Sequence, residues 1–187
     1  MADFKSAMLK LNQLEFSSPR DYLDYNKGEK GYTVGGIYEK AHPRWMGWRI
    51  VYTALKKYGS MGKASKVLFK DDTLRKKVNG FYKHRFWDVA KLDFVDSQKI
   101  AEEIFIFGVN VGMRKGIKKA QKLVGVKSDG WVGAITLKAL NEYDPDKFSI
   151  EFDKVEIAYY HFLAYFSKRH RTLKRFYRGW VNRAEFV

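Results

Sequence analysis

The sequence predicts a mostly α-helical fold broken by one irregular or β-hairpin excursion at about residues 16–36. Apolar residues recur at spacings of three and four along most of the chain, as helices with one buried stripe require. Between Phe16 and Gly36 that period fails: Pro19, Gly28, Gly31, Gly35 and Gly36 are interleaved with Tyr22, Tyr25 and Tyr32. No internal repeat, low-complexity tract or flexible linker divides the rest.

Taken in order, Phe4, Ala7, Met8, Leu11 and Leu14 mark an amphipathic helix over 3–15, with Asp3 as its N-cap and Glu15 at its C-terminal end. The glycine-rich excursion follows. Helical signals resume after Pro43, where Ile50, Val51, Ala54, Leu55 and Tyr58 form a stripe closed by Gly59. Asp71 or Asp72 caps a long helix carrying Leu74, Val78, Phe81, Tyr82 and Val89. Asp96 or Ser97 caps the next, with Ile100, Ala101, Ile104 and Phe105. A helix over 113–124 ends at Gly125, Asp129-Gly130 signals a turn, and a short helix through Ile135 and Leu140 stops at Asp144-Pro145. From about 146 the chain reads as helix dense in aromatics and bases. Near its end Leu173, Phe176, Tyr177, Trp180 and Val181 keep helical spacing, so they are expected in the core with the bases in solvent.

A length of 187 residues suits one domain or two small ones, and 45% hydrophobic residues supply a core. The absence of cysteine excludes disulfides, thiolate metal sites and cysteine nucleophiles. No apolar run approaches the roughly 20 residues of a membrane span. The N-terminal stretch is interrupted by Asp3, Lys5 and Lys10 and offers no signal-peptide pattern, so synthesis in the cytoplasm is expected, with release by another agent if the protein works outside. The net charge of +15 attracts acidic partners: nucleic acid, anionic membranes or the bacterial wall. His42, His84, His161 and His170 include no pair at the ligand spacing of a helix face, and neither a G-x-S-x-G elbow nor a phosphate-cradling loop occurs, so no metal or cofactor is expected.

What remains is a set of carboxylates beside an aromatic, glycine-rich loop. Glycoside hydrolysis needs a protonated acid for the leaving oxygen and a charged carboxylate for water or the oxocarbenium-like transition state. Glu15, at a helix C-terminus between Leu14 and Phe16, sits where the helix dipole and apolar neighbours favour the protonated form. Asp21, Asp24 and Glu29 lie in the loop, where a carboxylate stays solvated.

The stretch LEFSSPRDYLDYNKGEKGYTVGGIYEKAHPRWMGW at 14–48 resembles the N-terminal signature of glycoside hydrolase family 108, N-acetylmuramidases found among phage endolysins and bacterial wall-lytic proteins. The matching features are Glu15 ending the first helix, the loop, Thr33, Gly36-Ile37, and then His42-Pro43, Trp45 and Gly47-Trp48. FYKHRFWD at 81–88 and AEEIFIFGVNVG at 101–112 are similar to the family's middle helices. QKLVGVKSDGWVGAITLKAL at 121–140 resembles its accompanying peptidoglycan-binding region, through Leu123, Gly125, Asp129-Gly130, Gly133 and Thr136. Tyr177, Gly179-Trp180 and Asn182-Arg183 are similar to its close.

The resemblance implies a lysozyme-like helical catalytic region over 1–110 and a helical peptidoglycan-binding region over 111–187 packed on it as one compact unit. It implies a cofactor-free hydrolase of the β-1,4 bond between N-acetylmuramic acid and N-acetylglucosamine, acting as a monomer in endolysin-type wall lysis after release through a holin-type pore. Peptidoglycan is the implied partner, with acidic wall polymers or an anionic membrane surface beside it and no nucleic acid. Glu15 would be the acid. The glutamate–eight residues–aspartate spacing of phage-type lysozymes selects Asp24 as the second carboxylate, with Glu29 and Asp21 behind it, and Thr33 to orient water. Tyr32 and Trp45 would bind sugar and Asn110 an acetamido group, while Trp48 is expected in the core. The family's glutamate is followed by Gly-Gly-Tyr, where this chain has Phe16-Ser17-Ser18 and a longer loop. That extra room leads to an expectation of inversion, with carboxyl groups roughly 6.5–9.5 Å apart. The alternatives from other classes are a wall-binding protein without catalysis and a basic nucleic-acid-binding protein.

Overall fold

The structure, a computed structural model, describes residues 1–15, 18–26 and 30–186, and all but two of their side chains, those of His170 and Arg171. Phe16, Gly28 and Glu29 thus lie outside the described residues. The fold is mostly α-helical with one small antiparallel sheet. The chain forms two units, Met8–Lys83 and Met1–Ala7 with His84–Val187.

The first helix, α1 (Phe4–Glu15), is capped by Asp3, whose carboxylate accepts from the Ser6 backbone N–H at 2.7 Å. Its Ala7, Met8 and Leu11 are buried. The excursion is a hairpin extended by a third strand: β1 (Leu23–Asn26), β2 (Gly31–Val34) and β3 (Ile37–Tyr38), ordered β1-β2-β3 and antiparallel throughout. Gly35 and Gly36 turn β2 into β3 with φ of 52° and 76°, the left-handed pair that a two-residue hairpin needs. Tyr82 donates its hydroxyl to the Gly35 carbonyl at 3.0 Å, and a Cβ on Gly36 would run into that same hydroxyl. Leu23, Val34 and Ile37 are buried on the sheet.

Three helices complete the Met8–Lys83 unit: α2 (Trp48–Tyr58), α3 (Met61–Phe69) and α4 (Asp72–Tyr82). Gly59 closes α2 at φ 61°, and Asp71 caps α4 by accepting from the Leu74 N–H at 2.8 Å. Ser65 on α3 fastens the chain before the sheet. Its buried hydroxyl accepts from the Leu23 N–H at 3.0 Å and donates to the carbonyls of Pro19 and Arg20. The long helix expected through Val89 ends at Tyr82. Lys83–Trp87 form a π-helical turn that carries Trp87 inward, where its indole donates to Asp93 at 2.7 Å, and Val89 is exposed.

In the other unit, α5 (Gln98–Val111) is buried from Ile100 to Gly108 and packs on α6 (Met113–Leu123) and α8 (Pro145–Tyr165). A stretch buried on every side, Glu102 and Glu103 included, belongs at the centre of a helical layer. Gly108 and Gly116 let α5 and α6 approach, since a Cβ on Gly116 would stand 3.1 Å from the Gly108 Cα. Phe4, Trp87 and Phe105 pack edge to face on one side of α5, and Phe107 with Phe148, Phe152 and Tyr160 on another. Between α6 and α7 (Ala134–Asn141), the buried Gln121 amide gathers the loop, donating to Asp129, the Trp131 carbonyl and Thr136 and accepting from the Gly130 N–H.

Asp144 does more than stop a helix: it caps α8, accepting from the Lys147 N–H, with Pro145 in the first turn where its missing N–H is harmless. The short α9 (His170–Leu173) and α10 (Tyr177–Ala184) close the chain. The core expected there is reduced. Ala184 is the buried residue of α10, Phe176 is exposed, and Trp180 is half-buried, stacked on Tyr160 at 5.3 Å between ring centroids. Helical spacing sets a side chain on a shared face but does not say how deeply that face is covered. Among the described residues no helix is long and apolar enough to cross a membrane.

Candidate active site

The hairpin's register determines which candidate residues meet. Asp24 on β1 is the cross-strand partner of Thr33 on β2, and Thr33 is in turn the partner of Tyr38 on β3. Directly opposed side chains in an antiparallel pair have Cβ atoms about 4.5–5.5 Å apart. The Asp24 carboxylate and the Thr33 hydroxyl are thus neighbours on one face, within reach of a shared water. Asp24 is exposed and Thr33 half-buried, so the pair is open to solvent on the carboxylate side. Glu15 is the last residue of α1 and is half-buried. Asp21 is exposed and is occupied locally, accepting from the Ser18 hydroxyl at 2.9 Å. Glu29 lies outside the described residues.

Alternation along the strands sends Tyr25 and Tyr32, the next cross-strand pair, to the opposite face. There they meet Tyr52 of α2: the rings of Tyr25 and Tyr32 stand 4.8 Å apart and those of Tyr32 and Tyr52 6.0 Å apart, both edge to face. Glu39 holds this trio. One carboxylate oxygen accepts from the Tyr32 backbone N–H at 3.0 Å and the other from the Tyr52 hydroxyl. The hydrogen bond to Glu39, followed by burial, pushes the Tyr52 phenol up to about 12, so it stays a donor across the neutral range. Together with Lys30, Lys40 and Pro43 the trio lines a cavity of about 600 Å³. Apolar ring faces beside a few fixed polar groups suit the C–H face and hydroxyls of a sugar.

The other sequence candidates go elsewhere. Trp45 packs edge to face on Trp48 and Phe81 and folds over Gly47, where a Cβ would overlap its ring. Trp48 is buried, as expected, and its indole donates to the His42 carbonyl at 2.8 Å. Asn110 stands in the other unit, near the end of α5, and its amide donates to the Tyr160 hydroxyl at 2.9 Å. Sequence reasoning missed Tyr52 and Glu39. Tyr52 gave one signal, since it falls off the apolar stripe of α2, whereas Glu39 gave none. Among the described residues no three His, Asp or Glu side chains converge as metal ligands.

With this geometry in view, the comparisons with known proteins align with the hairpin. The profile of the glycosyl hydrolase 108 family matches residues 21–112, and that of the predicted peptidoglycan domain matches 115–185. The first range holds Asp24, Tyr32, Thr33, Trp45 and Asn110 and begins after Glu15. The solved structure of Brucella abortus SagA is similar in fold, with a TM-score of 0.60 and 23% identity over 97% of this chain and 93% of that one. No curated protein sequence matches the chain significantly. Residues 21–112 thus carry a glycosyl hydrolase 108 region, a peptidoglycan domain follows it, and the chain is a glycoside hydrolase of peptidoglycan.

Proposed function

We propose that this hydrolase cleaves the β-1,4 bond between N-acetylmuramic acid and N-acetylglucosamine, with Glu15 as proton donor and Asp24 and Thr33 handling water. The observation that carries the proposal is the β1–β2 register, which seats Asp24 beside Thr33 on a solvent-open strand pair. A carboxylate that accepts a proton from water while a hydroxyl fixes that water's orientation is the base half of an inverting glycosidase. Glu15 supplies the acid half: its proton passes to the glycosidic oxygen as the C–O bond breaks. The tyrosine trio around Glu39 offers a stacking surface for an adjacent sugar, with Tyr32 its central ring, and Trp45 supports the entry to α2. The proposal extends to the biological setting. Wall lysis of the endolysin type would follow release through a membrane pore, so co-expression with a pore-forming protein should produce lysis that neither gives alone.

Mass spectrometry of digested peptidoglycan tests the chemistry. Muramidase action leaves reducing N-acetylmuramic acid ends carrying one added water. Anhydro ends, or N-acetylglucosamine at the reducing end, would refute the bond assignment. Glu15→Gln keeps the shape but cannot protonate the leaving group, so it should reduce lysis by about 10²–10⁴-fold, the range typical of a lost general acid. Full lysis by Glu15→Gln would sink the acid assignment, and full lysis by Asp24→Asn would transfer the second role to Glu29. Proton NMR of the first-formed reducing end should show the α-anomer.

A further inference from the structure

A second cavity, of about 430 Å³, lies within the His84–Val187 unit, where the end of α5, the start of α6, the turn after α8 and α10 converge. Its walls are of two kinds. The half-buried ring of Trp180, stacked on the fully buried Tyr160, forms an aromatic side. Lys115 at the start of α6, and Lys168 and Arg169 in the turn after α8, form an exposed cationic rim, and no carboxylate lines the cavity among the described residues. Three cations in a cavity that no carboxylate lines among the described residues, beside an aromatic ring, suit a ligand that is both anionic and ring-bearing.

Asn110 adds an amide-reading group. Its Nδ2 is committed to the Tyr160 hydroxyl, which leaves that hydroxyl's own proton for the buried Glu156 on the same helix. The chain Glu156–Tyr160–Asn110 therefore fixes the amide with its Oδ1 unused. A part-buried carbonyl with no partner among the described residues accepts an N–H from whatever fills the cavity. Peptidoglycan has these features on one repeat: N-acetylated sugar rings with amide N–H groups, and stem peptides with amide N–H groups and free carboxylates.

We propose that this cavity binds the junction of muramyl sugar and stem peptide, with Trp180 against the sugar, the Asn110 carbonyl accepting an amide N–H, and Lys115, Lys168 and Arg169 holding a stem-peptide carboxylate. It rests on the reading of peptidoglycan as substrate and deepens it by adding a site that reads the peptide. Catalysis would then follow anchoring of a strand by its peptide, so stripped glycan chains would be held less well than intact wall.

Isothermal titration of the full chain with muramyl dipeptide tests this. The probe carries one N-acetylated sugar, two stem residues and a free carboxylate, and has no glycosidic bond to cleave. Saturable binding is expected, weakened about tenfold or more by Lys168→Glu with Arg169→Glu, as loss of a charge-assisted hydrogen bond requires. N-acetylglucosamine, lacking the carboxylate, should bind more weakly than the dipeptide. The Trp180 indole N–H, assigned with Trp180→Phe, should shift on titration, a readout that survives if the charge-reversed protein folds poorly. No saturable binding, affinity unchanged by the double reversal in a folded variant, or an unmoved Trp180 signal would overturn the proposal. Glu15→Gln should bind the probe like the parent chain, so a failed catalytic assignment leaves this result readable.

Discussion

Glu156 gives the sharpest test of the helical unit's energetics. It is buried on α8, faced by Glu103 from α5, Asp153 one turn earlier on α8, Arg183 from α10 and the Tyr160 hydroxyl. Burial, then the fields of Glu103 and Asp153, push its carboxyl up to about 9, against a smaller opposing pull from Arg183 and Tyr160. The sign follows from which state holds the proton. Below pH 4.5, its ordinary value, folded and unfolded chains both keep the proton and nothing is lost. From there to about 9 the unfolded chain releases a proton that the folded chain retains, so stability falls as pH rises. Each pH unit in that window costs about 1.4 kcal/mol, so by pH 7 the loss reaches up to about 3 kcal/mol.

Glu156→Gln mimics the protonated acid and removes the titration. At pH 4 it should melt with the parent. At pH 7 it should be more stable by up to about 3 kcal/mol, several degrees of melting temperature for a chain of this length. Thermal melts of both proteins across pH 4–8 measure the gap directly. A gap that stays constant with pH, or a variant less stable than the parent at pH 7, would refute the reasoning, because a group ionised at neutral pH has no such penalty to remove.

Gln121→Leu should lower stability by about 3 kcal/mol in denaturant melts, since its two amide N–H groups, shared among Asp129, the Trp131 carbonyl and Thr136, and its carbonyl, which takes the Gly130 N–H, together make hydrogen bonds worth about 1 kcal/mol for each of the three groups. Ser65→Ala should cost about 2 kcal/mol by leaving the buried Leu23 N–H unsatisfied, and the loosened β1 should reduce lysis in proportion. Raising salt from tens to hundreds of millimolar should slow lysis of intact wall much more than cleavage of a short neutral chitooligomer, because the Debye length falls to about 8 Å near physiological strength. Equal salt sensitivity for the two substrates would argue against attraction by the +15 charge.

What was legible in the sequence was what acts over a few residues. Asp3, Asp71 and Ser97 cap the helices they precede because a short polar side chain reaches the N–H three residues on. Gly59 and Gly35-Gly36 turn the chain with positive φ. Less local features were lost. In Met61–Phe69 the apolar spacing is interrupted by Lys63 and Lys66, and the helix closes only because Ala64, Ser65 and Leu68 have a sheet to cover. The break at Tyr82 was invisible for the same reason: the stripe through Val89 continues in the sequence, but burying Trp87 against Phe4 and Phe105 requires the extra residue of a π turn.

The site divides along the same line. Asp24 and Thr33 could be paired from the sequence only through a spacing shared with known enzymes, since a cross-strand register is not written in any local spacing. Once the register is fixed at Asp24↔Thr33, period-two alternation sends Tyr25 and Tyr32 to the other face together, so one backbone fact sets both the pair proposed to handle water and the aromatic cavity. A one-residue slip would exchange the two faces, putting tyrosines where the water must be held and the carboxylate among the rings. The Glu39 carboxylate, bound at once to the Tyr32 backbone and the Tyr52 side chain, anchors β2 to α2 and so fixes which face of β2 carries Tyr32. Glu39→Gln should therefore lower activity on wall more than it lowers the melting temperature, with Asp24 and Thr33 chemically untouched. Unchanged lysis in that variant would mean β2 is held in place by the Gly35–Tyr82 contact instead.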